Sequence, residues 1–309
     1  MKTPIVSVIM PVYNAERYLA LAVESILGQS FNDYEFIIID DFSIDNSYQI
    51  LQDYARRDQR IRLFRNGRNQ KLPKTLNFGI NRALGKYIVR MDADDISLPE
   101  RLAKQVEFME SHPEIGVCGT WYNVFNDDMG QLLHYEQKPI THEMILIYLN
   151  LLENPIGHPT VIIRREVLGN LYYPESLVNN AEDYGLWLML SQYGVKFANL
   201  PVYTLNYRFS SSSLSQTNQK NINLIQIKII SDTLSRFGIK HNRINHYLNA
   251  FVLSSNIFTK LYSMLRSVYT LREIERNNHK IQLFSEMELS SFLQSLSFCR
   301  KIRRKIRWK

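Results

Sequence analysis

Apolar residues in the first hundred positions alternate between short, mostly apolar segments and stretches with helical spacing. Such segments are typical of strands that are covered on both faces of a sheet. Four of them predict strands at residues 5–10, 36–39, 61–64 and 87–91. Helical spacing predicts helices around residues 19–27, 48–55 and 76–84, the first with Asn14 as N-cap and the third closed by Gly85. This alternation predicts an α/β fold with a doubly wound parallel sheet and right-handed crossovers.

The pattern changes after Pro99, which suits the first turn of a helix because the N–H that it lacks would be unpaired there. That helix is predicted to end near Ser111. Further elements are predicted as a hairpin at 117–125 and 131–135, helices at 143–151 and 182–193, and a strand at 202–207. The sheet is therefore expected to be mixed and mostly parallel.

Charge divides the chain into two parts. The net charge is +7, from 37 Lys and Arg against 30 Asp and Glu. Residues 214–309 contain 17 Lys and Arg against 5 Asp and Glu, which leaves 20 against 25 for residues 1–213. We therefore predict a first domain at 1–213 and a basic, helical C-terminal region at 214–309.

Cysteine content and hydropathy limit the class of protein. Cys118 and Cys299 are far apart, which favours neither a disulfide framework nor a Cys-based zinc site. No segment approaches the ~18 consecutive apolar residues of a membrane-spanning helix. The first apolar segment meets Pro11 too early for a secretory signal. A cytoplasmic protein is expected.

Polar clusters follow three predicted strands, at residues 11–14, 40–41 and 92–95. Because ligands bind beyond the carboxyl ends of parallel strands, these clusters should meet at one crevice. The acidic cluster at 92–95 is costly unless a cation or water compensates it, and a divalent cation would also bind phosphates. The patterns G-x-x-x-x-G-K-[ST] and G-x-G-x-x-G are absent, which argues against a P-loop or a Rossmann nucleotide site.

Four segments occur in the order and spacing of one known family. They read IMPVYN at 9–14, IDDFSID at 39–45, MDADD at 91–95 and AEDYGLW at 181–187. Together they resemble the family 2 glycosyltransferases, which are inverting enzymes with the GT-A fold. The resemblance covers about residues 4–210 and implies a GT-A domain followed by a helical extension.

The resemblance implies a site for the nucleotide of a sugar donor. Its residues would be Pro11, Tyr13, Asn14, Asp40, Asp41, Lys74, Asn77, Asp92 and Ala93. The first three match the loop that lines the base and ribose, and Asp40 or Asp41 matches the carboxylate that reads a pyrimidine edge. Without the resemblance, the paired aspartates read equally as a solvated turn and helix cap, and Lys74 as a solvated helix residue.

The resemblance also implies a metal and a catalytic base. Asp94 matches the ligand of the Mg²⁺ or Mn²⁺ that bridges the phosphates, and Asp92 matches a metal ligand near the ribose. Asp183 matches the general base. In the acceptor site, the resemblance places Glu182, His158 and Trp187. Alternatively, Glu182 and Asp183 are acidic residues of a helix first turn, and His158 is a packed core histidine.

Two departures from the family pattern matter. Phe42 stands where the family usually has glycine, so the turn after the paired aspartates is expected to differ. The sequence RKIRW at 304–308 matches the R-x-x-R-W motif of processive synthases, but it lies at the extreme terminus and is interpreted as coincidence. Transfer of a single sugar is expected.

The predicted activity is transfer of one hexosyl or N-acetylhexosaminyl group in cell-surface polysaccharide synthesis. The donor would be UDP- or dTDP-linked, and the acceptor a hydroxyl of a glycan or lipid-linked glycan. One alternative is a sugar nucleotidyltransferase, which should have a Gly-rich basic loop after the first strand. Another is a non-catalytic glycan- or lipid-binding protein on the same fold.

The last twelve residues, 298–309, are basic with an apolar residue every fourth position. A helix there would present an apolar stripe bordered by cations, which suits an anionic membrane surface. The protein is then expected at the inner face of the membrane. The alternative is a disordered basic tail without a specific partner. Nucleic acid is not an expected partner, because no RNA-binding motif accompanies the tail.

Overall fold

Nine strands form one mixed sheet in the computed structural model, which describes residues 3–177, 181–210, 219–236, 238–248, 273–274, 276–278 and 289. The strands are β1 Val6–Val12, β2 Tyr34–Asp40, β3 Ile61–Arg65, β4 Tyr87–Arg90, β5 Ile96–Ser97, β6 Ile115–Phe125, β7 Leu132–Glu136, β8 Ile162–Arg164 and β9 Lys196–Arg208. The helices are α1 Leu19–Leu27, α2 Ser47–Arg57, α3 Leu72–Ile80, α4 Arg101–Ser111, α5 His142–Leu151, α6 Arg165–Leu168, α7 Glu182–Gln192, α8 Gln219–Arg236 and α9 His241–Leu248.

The strand order is β3-β2-β1-β4-β8-β6-β9-β5, with β7 added to β6. The first four strands of this order are mutually parallel and are connected through α1, α2 and α3. β8 is antiparallel to both of its neighbours, whereas β6 and β9 are parallel to each other. The predicted mixed α/β architecture is confirmed. The carboxyl ends of β1, β2 and β4 lie side by side, as the sequence predicted.

β1 and β2 are buried along almost their whole length, because helices cover both faces of the parallel half of the sheet. Pro11 lies inside β1, although it was predicted to end the strand. The Ile9 carbonyl accepts a hydrogen bond from Met91 N, and the Val12 carbonyl accepts one from Asp41 N. Alternate residues of β1 face opposite neighbours, so Pro11 faces β4, as Ile9 does. The N–H that Pro11 lacks would point past the end of β4, and the hydrogen bonds between the two strands are therefore complete without it.

Two predicted helix ends are wrong. Asn14 does not cap α1, whose N-cap is Tyr18. Gly85 does not close α3, which ends at Ile80. Instead, the main chain at Gly85 lies so close to β1 that a Cβ there would be 2.6 Å from Ser7 N. Backbone proximity, and not a helix cap, therefore requires glycine at this position.

The chain forms two compact units: residues 1–140 with 155–218, and residues 141–154 with 219–309. The core of the first unit lies around β1, β2 and β4. In the second unit, apolar residues of α5, including Ile147 and Leu151, pack with Ile230 and Leu234 of α8. The functional boundary between residues 213 and 214 stays a prediction. No helix among the described residues is both long and apolar enough to cross a membrane.

Candidate active site

An acidic cluster occupies the loop after β4. Carboxylate oxygens of Asp92, Asp94 and Asp95 lie within 4.8 Å of one another. Burial and the neighbouring charge of Asp92 raise the pKa of Asp94 to about 6. Burial and the charge of Asp94 raise the pKa of Asp95 well above its usual value. Clustered, desolvated carboxylates supply the hard oxygen ligands that Mg²⁺ and Mn²⁺ prefer, so these residues fit such an ion.

Two arginines hold this cluster, and neither is among the site residues predicted from the sequence. Arg90 is buried at the end of β4, and its two terminal nitrogens pair with both oxygens of Asp92. Arg208 is buried at the end of β9. Its main-chain N donates to Asp95 Oδ1 (2.8 Å), and its Nε donates to the Asp94 carbonyl (2.8 Å). In the sequence, a role for Arg90 in the site could have been inferred from its position as a cation at the end of a short apolar strand.

The loops after β1 and β2 are tied together by side-chain hydrogen bonds. Asn14 N donates to Ser43 Oγ (3.0 Å), and Asn14 Oδ1 accepts from Ile44 N (3.0 Å). Asn14 has a left-handed φ of +50°, which asparagine tolerates better than most residues. Tyr13 beside it is 50% exposed. The predicted donor loop is therefore fixed in place and presents an accessible aromatic ring.

Asp41 organises the loop that follows β3. Its Oδ1 accepts hydrogen bonds from Asn66 Nδ2 and Gln70 N, both at 2.7 Å, and its Oδ2 accepts one from Lys71 N at 2.9 Å. Both oxygens are thus engaged within the protein. A contact between Asp41 and a nucleotide base stays a prediction, but the structure gives this side chain a loop-holding role.

Asp40 is fully buried at the end of β2. Its Oδ2 pairs with Arg65 Nε (3.0 Å), and the carboxylate also faces Ser43 N at 3.3 Å. Phe42 follows with φ +64°, in the left-handed region that glycine occupies most easily. The backbone thus adopts a conformation suited to glycine in spite of the substitution, and a difference from the family's turn stays a prediction.

Two predicted donor residues on α3 contact the segment before α7. Lys74 Nζ lies 3.5 Å from Glu175 Oε2. Asn77 is buried; its Nδ2 donates to the Tyr173 carbonyl (3.0 Å), and its Oδ1 accepts from Tyr173 N (2.9 Å). Direct nucleotide contacts by Lys74 and Asn77 stay predictions. In the structure, the Asn77 side chain connects α3 to the main chain of Tyr173.

Tyr173 connects this segment to the predicted acceptor side. Its hydroxyl lies 2.9 Å from His158 Nε2, and the His158 ring is edge-on to Trp187 with centroids 6.3 Å apart. Burial lowers the pKa of His158 well below its usual value, which makes the ring neutral at pH 7. Trp187 is fully buried and packs against the His158 ring. Acceptor contacts by either residue stay predictions.

Glu182 and Asp183 open α7, immediately after Ala181, which has φ +72°. Glu182 is buried, and burial together with the Asp183 charge raises its pKa to about 7. Asp183 is partly exposed, and its Oδ1 accepts from Tyr184 N (2.8 Å).

The acidic pair of α7 and the loop after β4 share one site. The charges of Arg90, Asp183, Glu182 and Asp92 all act on the pKa of the Tyr173 hydroxyl, which burial raises. The charge of Asp92 also acts on the pKa of Glu182, so these side chains lie in the neighbourhood of the Tyr173 hydroxyl. The structure therefore brings the predicted base and the predicted metal ligands together.

Unpaired polar atoms are concentrated in this region. The described residues contain eight buried side-chain N or O atoms without a hydrogen-bond partner. Five of the eight belong to Arg90, Asp95, Glu182, Trp187 and Arg208. Buried polar groups are paired in the great majority of cases, and each exception needs an explanation such as a bound ion, a water or a functional role. A ligand bound beside the acidic cluster would supply partners of this kind.

Relatives of the chain are named as glycosyltransferases. It is 35% identical over 211 residues to an uncharacterized glycosyltransferase of Methanocaldococcus jannaschii, covering 67% of this chain and 72% of that protein. It is 30% identical over 241 residues to WfaP of Escherichia coli, a UDP-Glc:α-D-GlcNAc-diphosphoundecaprenol β-1,3-glucosyltransferase, covering 78% and 90% of the two chains.

Solved structures share the fold. S. aureus TarS in complex with UDP-GlcNAc matches with a TM-score of 0.60 at 19% identity, over 89% of this chain and 83% of that one. The mannosyltransferase PcManGT of Pyrobaculum calidifontis, in complex with GDP-Man and Mn²⁺, matches with a TM-score of 0.58 at 14% identity, over 100% and 89%. The model of the family Glycosyl transferase family 2 matches residues 7–171. The chain is therefore a glycosyltransferase of family 2 with the GT-A fold.

Proposed function

We propose that this enzyme transfers a single hexosyl or N-acetylhexosaminyl group, with inversion, during synthesis of a cell-surface polysaccharide. The donor is a UDP- or dTDP-linked sugar, and the acceptor is a hydroxyl of a glycan or lipid-linked glycan. The relatives' names support this direction, since WfaP uses UDP-Glc and a diphosphoundecaprenol-linked sugar. The observation that supports the proposal is the cluster of three carboxylates after β4, together with the Glu182–Asp183 pair that acts with Asp92 on the Tyr173 hydroxyl.

In the proposed reaction, Asp183 is the general base. It accepts the proton of the acceptor hydroxyl as that oxygen bonds to the anomeric carbon, while the bond from this carbon to the nucleotide diphosphate breaks on the opposite face. Asp92 and Asp94 would hold Mg²⁺ or Mn²⁺, and such an ion would supply positive charge for the leaving diphosphate. Glu182 lies beside the base in the first turn of α7 and is buried.

Donor binding depends on the loops after β1 and β2. Tyr13 presents an exposed ring for the base or ribose, and Asn14 fixes the orientation of that loop. The cost of ordering these loops is already met in the folded protein, so the donor meets a preformed surface.

The test combines a donor screen with a variant of the base. Thermal shift with UDP, dTDP and GDP sugars in the presence of Mn²⁺ identifies the donor, because a bound ligand raises the melting temperature. Asp183→Asn is expected to abolish transfer from that donor and to leave its Mn²⁺-dependent binding within about twofold. Wild-type turnover in this variant would refute the assignment of the base.

A further inference from the structure

Both the main chain and the side chain of Arg90 make hydrogen bonds within the protein. Its side chain is 5% exposed, and its terminal nitrogens form a two-pronged pair with the Asp92 carboxylate. Its main-chain N donates to the Val161 carbonyl (3.1 Å), and its own carbonyl accepts from Arg101 Nη2 (2.8 Å). Backbone and side chain are thus both fixed, and the guanidinium cannot move without disturbing β4.

A two-pronged pair fixes the plane of a carboxylate as well as its position. The flat guanidinium offers two parallel N–H groups to the two carboxylate oxygens, whereas a lysine ammonium offers a point charge. The remaining lone pairs of Asp92 therefore point in directions set by Arg90. Groups that orient a metal ligand in this way commonly change metal affinity or activity by about 10–100-fold when they are replaced.

The partners of Arg90 do not use all of its donors. Its Nε is one of the buried atoms without a hydrogen-bond partner. A buried cation with an unused donor is expensive for folding alone, which favours a role in the site.

The geometry points to Arg90 as a positioning residue, which acts through Asp92 to hold that carboxylate in the one orientation that serves the cation and the donor. This inference rests on the proposed function for the identity of the ligand. It assigns to Arg90 no contact with the substrate. A purely structural ion pair is the competing explanation, and the two differ in what a conservative replacement changes.

The main test compares Arg90→Lys with Arg164→Lys. Arg164 is a buried arginine of the adjacent strand β8, and its hydrogen bonds go to main-chain carbonyls and to the Tyr87 hydroxyl, outside the acidic cluster. R90K keeps the positive charge and loses the two parallel N–H groups that pair with the Asp92 carboxylate. We expect its Kd for Mn²⁺ alone, measured by electron paramagnetic resonance, to rise about tenfold or more, and kcat at saturating Mn²⁺ and donor to fall about 10–100-fold. R164K is expected to lower the melting temperature and to leave both values near wild type.

A second variant covers the case in which R90K does not fold. Arg90→Gln keeps one N–H donor toward Asp92 and removes the charge, and it is expected to show the same loss of kcat at saturation. Wild-type kcat in either folded variant, or wild-type Mn²⁺ affinity in R90K, would overturn the inference. Failure of the wild-type enzyme to bind Mn²⁺ or to transfer sugar would instead refute the proposed function.

Discussion

The side-chain amide of Asn77 makes two hydrogen bonds to the main chain of Tyr173, 96 residues further along the chain. Asn77→Ala leaves a buried N–H and a buried carbonyl without partners, so the free energy of unfolding should fall by roughly 2–4 kcal/mol. Urea unfolding measures this loss. Asn81→Ala, which removes an exposed bond to Tyr172, should cost less. A raised donor KM with unchanged stability would instead support the sequence-based prediction of a nucleotide contact.

The pH dependence of stability should report Glu182. Its pKa of about 7, against a usual 4.5, means that the folded state keeps a proton which the unfolded state releases. This contribution is fully present below about pH 4.5 and is lost as the pH rises through about 7. The stability of wild type relative to Glu182→Gln should thus fall by up to about 3 kcal/mol across that window.

Urea unfolding at several pH values in the presence of a chelator measures the effect of Glu182. Glu107→Gln, on an exposed face of α4, is the control. If the difference in free energy of unfolding between wild type and Glu182→Gln stayed constant from pH 4.5 to 7, the raised pKa of Glu182 would be contradicted.

Removal of the Asp94 carboxylate should show whether the acidic cluster binds the metal. Asp94→Asn is expected to abolish Mn²⁺ binding and to reduce transfer by roughly 10²–10³-fold, because a developing charge on the leaving group loses its compensation. Asp53→Asn, an exposed acid of α2, should change neither quantity. Isothermal titration with Mn²⁺ and a transfer assay provide the readouts. Transfer that survives exhaustive chelation would refute the role of Asp94.

The left-handed backbone at Phe42 predicts an unusual order of substitutions. A non-glycine residue in this region costs about 1–2 kcal/mol, and glycine avoids that cost but loses more entropy on folding. Phe42→Gly should therefore be tolerated within about 1 kcal/mol, whereas the β-branched Phe42→Val should destabilise clearly. Denaturant midpoints rank the variants. Equal stability of the glycine and valine variants would show that the turn is not held in this conformation.

The basic tail at 298–309 lies outside the described residues, and its membrane contact stays a prediction from sequence. It carries seven Lys and Arg residues and no acid. Co-sedimentation with vesicles of 30% phosphatidylglycerol should fall by at least about tenfold when the tail is removed, since each basic residue contributes about 1 kcal/mol near an anionic surface. Neutral phosphatidylcholine vesicles are the control. Equal partitioning of full-length and shortened protein would exclude the membrane contact.

Local patterns predicted the elements and the order of the site, because strand periodicity and the residues that end strands are written in consecutive positions. They placed residues 11–14, 40–41 and 92–95 at neighbouring strand ends, where the structure has them. They could not predict that both oxygens of Asp41 are engaged by residues 25–30 positions away, or that Arg208 holds Asp95 across 113 positions. Such bonds depend on where separate elements meet, which no local pattern encodes.

Helix α5 has a consequence for any attempt to isolate the catalytic half. It lies between β7 and β8 in sequence, yet its residues Ile147 and Leu151 are covered by Ile230 and Leu234 of α8. A fragment that stops at residue 213 retains α5 and loses this cover, so its apolar face meets water and invites aggregation. A working fragment therefore needs either α8 or a redesigned polar surface on α5.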